Sequence, residues 1–380
     1  MAEHELEGFI SRIGSTLVRI NTENPPGREL EAASYLADRL AELGLRARVL
    51  DHGGGRGSVL GVLDSGVSGP VLMLNSHLDT VPAGAVDDWP FHPFESGVVD
   101  GVLRGRGSVD AKGCLTAMLA ALKILGPLGR GRLVFAGVAD EEVGGLGTAK
   151  VAKLLDRVDY SVFGEPTDLT PLIGNRGRCE IEIEVRGRPA HASTPSKGVN
   201  AISAASRIVA GLSRLEKGFG RRHRLMGRNT AAVTMISGGL KSNVVPDRCS
   251  ITVDVRTVPE TDLEDAVKSV GKTVSRYAGS AKASLSVKSY LPPAWTDENS
   301  RLVKSAVKAL RSLGIVRRPS ALKATTDFSR LLKYHRAEGL ILGPGDLSLA
   351  HTFKEEVPVK ELILAARAYA LIVEDILTSS

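Results

Sequence analysis

Apolar residues recur along the chain at two spacings, one typical of helices and one typical of strands. The helical spacing predicts an amphipathic helix over 3–19, with Leu6, Ile10, Ile13 and Leu17 on one face, and further helices over 28–43, 114–125 and 148–155. Short apolar runs between these helices predict strands over 46–50, 58–63, 71–75, 132–138 and 160–163. This alternation predicts an α/β domain, doubly wound around a mostly parallel sheet.

The pattern changes near residue 176. Residues 179–185 alternate Ile or Val with Glu, which predicts a strand with one solvated face. A helix over 199–216, a basic loop, strands over 230–236 and 250–256, a helix over 263–277 and a strand over 283–287 follow. This is the order of a ferredoxin-like split βαβ layer. We therefore expect one α/β domain built from 1–176 and 289–380, interrupted by a smaller α+β domain over 177–288.

Composition narrows the classes of protein to consider. The chain has 380 residues and a net charge of +6, and its apolar runs fall far short of the ~20 residues of a membrane span. The N-terminus lacks the layout of a secretory signal, so we expect a cytoplasmic protein without membrane association. The basic run Arg221-Arg222-His223-Arg224 has no interleaved aromatic residues, which argues against nucleic-acid binding. Three separated cysteines exclude a disulfide framework and a cysteine-type zinc site.

Histidine and acidic residues gather where the predicted strands end. Open α/β sheets form their sites at the carboxyl ends of their strands, and His with carboxylates can hold divalent metal. The residues concerned are His77 and Asp79 after 71–75, Asp140, Glu141 and Glu142 after 132–138, Glu165 after 160–163, His351 beyond 340–342, and Asp110 in a glycine-rich loop. The pattern predicts a metallohydrolase.

Each of these groups also has a simpler interpretation when taken alone. His77 and Asp79 point to the same side of an extended segment, so we expect Asp79 to accept the second ring N–H of a metal-bound His77. His77 could equally be a structural histidine, Asp110 a helix cap, and the acidic run a solvated loop. Adjacent residues point apart, so one of Glu141 and Glu142 can bind metal while the other acts as a general base. Residues 105–113 lack the spacing of a phosphate loop.

In combination, the motifs resemble a known family. They are His77-Leu78-Asp79-Thr80-Val81-Pro82, Gly105 to Gly113 around Asp110, Asp140-Glu141-Glu142, Gly164-Glu165-Pro166-Thr167, and Gly343-Pro344-Gly345 leading to His351. The whole chain resembles the M20 metallopeptidases, the group of acetylornithine deacetylase, succinyl-diaminopimelate desuccinylase, aminoacylase and carboxypeptidase G2. One departure is Ser76, where the family usually has Gly.

The resemblance implies a pair of zinc ions, with cobalt as an alternative, bridged by Asp110. One ion would also be held by His77 and Glu165, and the other by Glu142 and His351. Glu141 would be the general base, and the peptide bond after Asp110 would be cis. Asp79 would be a catalytic residue together with Glu141.

The resemblance also assigns roles within the inserted domain. It implies that 177–288 is a lid that forms a homodimer, and that His191 reaches the partner subunit's site to stabilise the oxyanion. Arg176, Asn243, Arg256 and Thr325 match positions that bind substrate in the desuccinylase-like members. An Arg fork suits a carboxylate.

The expected function is removal of an acyl group from an N-acyl amino acid in arginine or lysine biosynthesis. The alternative within the family is a carboxypeptidase or dipeptidase, because both reactions cleave an amide next to a free carboxylate. A third hypothesis, from another class, is a non-catalytic metal-binding or scaffold protein. The segment Ala324-Thr325-Thr326-Asp327-Phe328 departs from the desuccinylase pattern, so the acyl group stays open.

Overall fold

A computed structural model describes residues 2–95 and 97–378. Contacts divide the chain into two compact units. Unit 1 comprises Met1–Gly174, Trp295–Ser320 and Thr326–Ser380, and unit 2 comprises Asn175–Ala294 and Ala321–Thr325. Among the described residues, no helix has the length and apolar character needed to cross a membrane.

The helices and strands are numbered along the chain. The helices are α1 (Glu3–Arg19), α2 (Leu30–Glu42), α3 (Lys112–Ile124), α4 (Leu146–Leu154), α5 (Ala201–Leu212), α6 (Leu263–Tyr277), α7 (Arg301–Ser312), α8 (Asp327–Leu331) and α9 (Val359–Leu377). The strands are β1 (Arg46–Gly53), β2 (Arg56–Asp64), β3 (Val71–His77), β4 (Gly97–Val99), β5 (Val102–Arg104), β6 (Arg132–Val138), β7 (Tyr160–Phe163), β8 (Leu172–Asn175), β9 (Gly177–Arg186), β10 (Phe219–His223), β11 (Gly227–Gly238), β12 (Arg248–Thr257), β13 (Lys282–Leu291), β14 (Ala294–Trp295), β15 (Ser320–Leu322), β16 (Glu338–Ile341) and β17 (Glu356–Pro358).

Unit 1 is built on a central sheet whose order begins β1-β2-β6-β3-β7-β16-β8. Its middle strands β6, β3, β7 and β16 are parallel, while β1, β2 and β8 pair antiparallel with their neighbours. Every residue of β3 is buried, as expected of a strand covered on both faces. The predicted α/β fold with a parallel sheet is confirmed, and the antiparallel pairs lie toward the edges.

Unit 2 is an antiparallel sheet in the order β10-β11-β12-β9-β13 with helices α5 and α6. Along β9 the residues Cys179, Ile181, Ile183 and Val185 are fully buried, and they pack in one core with residues of both helices. Strands β9, β11, β12 and β13 with the two helices reproduce the predicted ferredoxin-like order.

Two details of the sequence analysis of this region are corrected. The basic segment expected to be a loop contains β10, which pairs with β11 because Phe219 and His223 are buried while Arg221 and Arg222 face outward. The second unit also extends beyond the expected 177–288. Strand β13 continues to Leu291, opposite Arg178, and the Ala321–Thr325 segment joins unit 2 because the N–H of Arg176 donates to the carbonyl of Leu322.

Candidate metal centre and active site

The candidate metal ligands lie at the carboxyl end of the parallel strands in unit 1. His77 is the last residue of β3, Glu142 follows β6, Glu165 follows β7, and His351 lies in the loop beyond β16. Asp110 immediately precedes α3, and the peptide bond between Asp110 and Ala111 is cis, as the resemblance implied. Parallel strands bring their carboxyl ends to one edge, so ligands far apart in sequence converge there.

Asp110 lies between the two histidines. Its Oδ1 is 3.0 Å from His77 Nε2, and its Oδ2 is 3.2 Å from His351 Nε2. Each histidine also faces a glutamate, with His77 Nε2 4.0 Å from Glu165 Oε2 and His351 Nε2 3.1 Å from Glu142 Oε1. The structure therefore groups the five predicted ligands into two clusters that share the Asp110 carboxylate.

This donor set fits divalent cations. Ligand atoms of His77, Asp110 and Glu142 all lie within 4.8 Å of one another. The converging atoms are imidazole nitrogens and carboxylate oxygens, the groups that bind zinc and related ions. Three carboxylates close together repel unless cations or protons compensate them. The residues present are thus suited to hold divalent metal.

The pKa values of these groups reflect the crowding of acids in a buried place. Burial and the nearby Asp327 raise the pKa of Glu141 well above its ordinary value, and burial does the same for Glu165. Hydrogen bonds to Asp110 and Glu142 raise the pKa of His351 to about 10. Although burial opposes it, the Asp110 carboxylate also raises the pKa of His77. In the metal-free protein, the raised pKa values favour proton binding by these groups, and the bound protons offset the crowded negative charge.

The carboxylate of Asp79 does not accept the ring N–H of His77, contrary to the prediction. The ring N–H at Nδ1 of His77 donates to the backbone carbonyl of Asp79 at 2.9 Å, whereas the nearest carboxylate oxygen of Asp79 is 3.7 Å away. That carboxylate instead accepts the backbone N–H groups of Glu141 at 3.0 Å and Glu142 at 3.2 Å. The carbonyl still orients the ring so that Nε2 faces the metal site. The carboxylate fixes the turn that carries the two glutamates.

Three further residues support this site and were missed in the sequence. Glu355, which is fully buried, accepts N–H groups of Gly107, Val109 and Asp110 at one oxygen and pairs with Arg106 at the other. Asn24 contacts Asp79, and Asp327 is buried near Glu141. The sequence offers one signal for Glu355. The backbone N–H groups of the glycine-rich loop need hydrogen-bond acceptors when the loop is buried, and Glu355 is such an acceptor.

The predicted substrate-binding residues of unit 2 form two groups. In the first, Thr325 Oγ1 donates to the carbonyl of Arg176 at 2.7 Å and lies 3.2 Å from Arg256 NH1. Arg256 also pairs with Asp254 at 2.6 Å. Arg176 donates to the carbonyl of Met226, and burial together with the charge of Arg256 lowers its pKa. The group is rich in positive charge.

The second group contains His191 and Asn243. His191 pairs with Val244 as an isolated antiparallel bridge, and the carbonyl of Asn243 accepts the N–H of Ala192 at 3.0 Å. The side chain of His191 is exposed, and its Nδ1 accepts the backbone N–H of Ser193 at 3.1 Å. Because Nδ1 accepts this N–H, Nε2 is the ring nitrogen left to donate.

Comparison with known proteins identifies the family. The sequence model of peptidase family M20/M25/M40 matches residues 73–375. The chain belongs to this family. It is therefore a hydrolase, and the resemblance drawn from the motifs is confirmed.

This M20 chain is similar to relatives named as a desuccinylase and as a [LysW]-lysine/[LysW]-ornithine hydrolase, and to a solved peptidase structure. A probable succinyl-diaminopimelate desuccinylase from Staphylococcus epidermidis is 29% identical, over 90% of this chain and 92% of the relative. A putative [LysW]-lysine/[LysW]-ornithine hydrolase from Pyrobaculum aerophilum is 32% identical, over 84% of this chain and 85% of the relative. A Bacillus subtilis structure described as a dinuclear metal binding peptidase of the M20 family has a TM-score of 0.75 at 17% identity, with both chains fully covered.

Proposed function

We propose that this M20 hydrolase is a di-zinc amidohydrolase that removes an acyl group from an N-acyl amino acid. One observation carries the proposal: the two oxygens of Asp110 each face a different histidine, and each histidine faces its own glutamate. Five ligands arranged in this way suit a pair of cations that share one carboxylate. Zinc is the expected ion, and cobalt suits the same ligands.

The residues of the chain divide the chemistry between them. When bound, the two cations would supply a water of lowered pKa and polarise the scissile carbonyl. Glu141 takes the proton of the attacking water and delivers it to the leaving amine as the C–N bond breaks. Burial raises the pKa of Glu141 well above its ordinary value, which favours holding the proton between the two steps. The Asp79 carboxylate orients Glu141 through the backbone N–H of that residue.

The substrate would carry a free carboxylate. The guanidinium of Arg256 and the hydroxyl of Thr325 lie together in unit 2, next to the buried charge of Arg176. Arginine binds carboxylates with good geometry, so this group is suited to hold the amino-acid end of the substrate. Asn243, which lies in the group with His191, is proposed to contribute a further contact to the substrate.

A substrate panel distinguishes the deacylase from the carboxypeptidase or dipeptidase alternative. Metal-free protein would be titrated with Zn²⁺ or Co²⁺ in the presence of acetylornithine, succinyl-diaminopimelate, dipeptides, and lysine or ornithine attached to LysW, as the Pyrobaculum relative's name suggests. Turnover of one acyl amino acid that appears with the second metal equivalent supports the proposal. Turnover of dipeptides alone would refute the deacylase assignment, and no turnover with two metals bound would leave a non-catalytic role.

We also propose that the chain forms a homodimer through unit 2. The second half of β11 lies at an edge of its sheet, because β10 pairs only with Gly227–Asn229. Large apolar side chains are exposed here: Met235 on the strand is 68% accessible, and Leu240, just beyond its end, is 97% accessible. An exposed edge strand of this kind is a template for pairing with a second copy.

Mixed dimers test whether His191 acts in the partner's site. Subunits with His191→Ala would be mixed with subunits with Glu141→Gln, each inactive by itself. If His191 acts across the dimer, half of the subunits pair as heterodimers with one complete site, and activity returns to about a quarter of wild type. No recovery after verified subunit exchange would contradict the role across the dimer.

A further inference from the structure

Two buried carboxylates, those of Asp79 and Asp140, hold the turn that carries Glu141 and Glu142. Asp79 accepts the N–H groups of Glu141 and Glu142, as described above. Asp140 closes the turn from within: its carbonyl accepts the N–H of Gly144 at 3.0 Å, and its Oδ2 accepts the N–H of Leu146 at 3.2 Å. The placement of both glutamates therefore depends on where these two carboxylates are held.

A single amide group joins the two carboxylates. Nδ2 of Asn24 donates to Asp79 Oδ2 at 2.9 Å and to Asp140 Oδ1 at 3.1 Å. Asn24 is only 4% exposed, and its backbone is fixed because its N–H donates to the carbonyl of Thr80 at 2.8 Å. Asn24 is 55 residues away in sequence from Asp79 and 116 residues away from Asp140, so the two hydrogen bonds join distant parts of the chain.

The chemistry of this position requires an amide. An NH₂ group carries two hydrogens, so one nitrogen can satisfy two acceptors at once. The opposite amide orientation would turn a carbonyl oxygen toward two carboxylates, and aspartate would add a third negative charge. Arg56 also reaches Asp140, at 2.8 Å, so Asn24 is the bridge to Asp79 rather than the sole partner of Asp140.

We propose that Asn24 is a positioning residue for the amide hydrolysis proposed above: it ties Asp79 to Asp140 and thereby fixes Glu141 and Glu142. Asn24 acts through these carboxylates, and no contact with substrate is needed. Outer contacts that orient ligands typically change metal affinity or activity by about 10–100-fold when removed. A small displacement of a catalytic group has an effect of the same order.

Asn24→Leu removes both donors at similar volume and tests the inference. We expect kcat on the substrate found by the panel to fall about 10–100-fold with KM within about threefold, because only positioning for the transition state is lost. Calorimetric titration of metal-free protein with Zn²⁺ should show one of two equivalents weakened about tenfold or more, since Glu142 is a ligand of one cation only. If this variant does not fold, Asn24→Ser retains one donor and should give a smaller loss in both measurements.

Thr22→Val is the matched control. Thr22 is buried in the same segment, and its hydroxyl donates to the carbonyl of Leu78 at 2.7 Å without contacting either carboxylate. A structural role alone predicts that both variants lose activity in proportion to their loss of thermal stability. Equal effects of Thr22→Val and Asn24→Leu on kcat and Zn²⁺ binding would overturn the inference, as would wild-type behaviour of Asn24→Leu.

The inference rests on the proposed function, and the two can fail separately. If the wild-type protein hydrolyses no member of the panel, the proposed function fails, and the Zn²⁺ titration alone decides the role of Asn24. Selective weakening of one equivalent in Asn24→Leu then supports the positioning role. Unchanged binding of both equivalents refutes it even if hydrolysis is found.

Discussion

Zinc binding to the metal-free protein should release protons, and the structure sets their number. His77 and His351 each place Nε2 about 3 Å from an oxygen of Asp110. The pKa of His351 is raised to about 10, and that of His77 is raised well above its ordinary value. The raised pKa values favour the charged form of both rings, whereas a metal ion binds only the neutral ring. Asp110 adds no proton, because the two histidines lower its pKa against the effect of burial.

The magnitude follows from these two rings. Filling both sites at pH 7 should release about two protons from the imidazoles, and Glu165, whose pKa burial raises well above its ordinary value, adds to that number to the extent that it is protonated. Since protons compete with the cations, affinity falls as the pH falls. Two linked protons correspond to about a hundredfold change in the combined affinity of the two sites for each pH unit.

Calorimetry in several buffers measures the proton count. The observed heat of Zn²⁺ binding, plotted against the ionisation enthalpy of phosphate, Hepes and Tris, has a slope equal to the number of protons released. His351→Asn should lower the slope by about one and weaken one equivalent. His335→Asn alters a histidine of the same unit that contacts the carbonyl of Ala152, and it should leave the slope unchanged. A slope below one for the wild-type protein at pH 7 would refute the reasoning.

Three further predictions concern the active site and the proposed dimer. Glu141→Gln should lower kcat by about 10²–10⁴-fold with both Zn²⁺ equivalents retained, and near-normal turnover would remove Glu141 from the mechanism. Arg256→Met should raise KM about 10–150-fold for substrates with a free carboxylate, but not for their amidated analogues, since a charged hydrogen bond contributes about 1.5–3 kcal/mol. Leu240→Glu should give a monomer by light scattering, and an unchanged dimer would place the interface elsewhere.

Strong apolar patterns made much of the fold predictable. The bounds of β6, β7 and α6 agree with the predicted segments, because their buried residues form continuous runs or a clear helical stripe. Strand β10 was missed because its burial does not alternate: three exposed residues, 220–222, separate the buried Phe219 from the buried His223. The pairing of β10 with β11 also shifts in register between Phe219 and Arg222, so the period of two that reveals a regular strand is absent.

Contacts between distant segments limited what the sequence could reveal about the site. Residues at strand ends could be expected to converge, and the structure brings the predicted ligands together around Asp110. The partner of the Asp79 carboxylate could not be inferred, because local alternation suggested its neighbour His77, while the N–H groups it accepts lie 62 and 63 residues away. Asn24 and Glu355 act over still longer separations, and nothing in their local sequence marks them as buried.

The acidic turn after β6 shows how neighbouring residues of the same type can take different roles. Both glutamates give their backbone N–H to Asp79, so the two residues are fixed together. Glu142 faces His351, which compensates its charge at 3.1 Å. The backbone carbonyl of Glu141 lies 3.4 Å from Arg330, and with Asp327 nearby its buried carboxyl has a raised pKa. A carboxylate that faces an imidazole is suited to bind metal with it, whereas a carboxyl of raised pKa is suited to take up and release a proton.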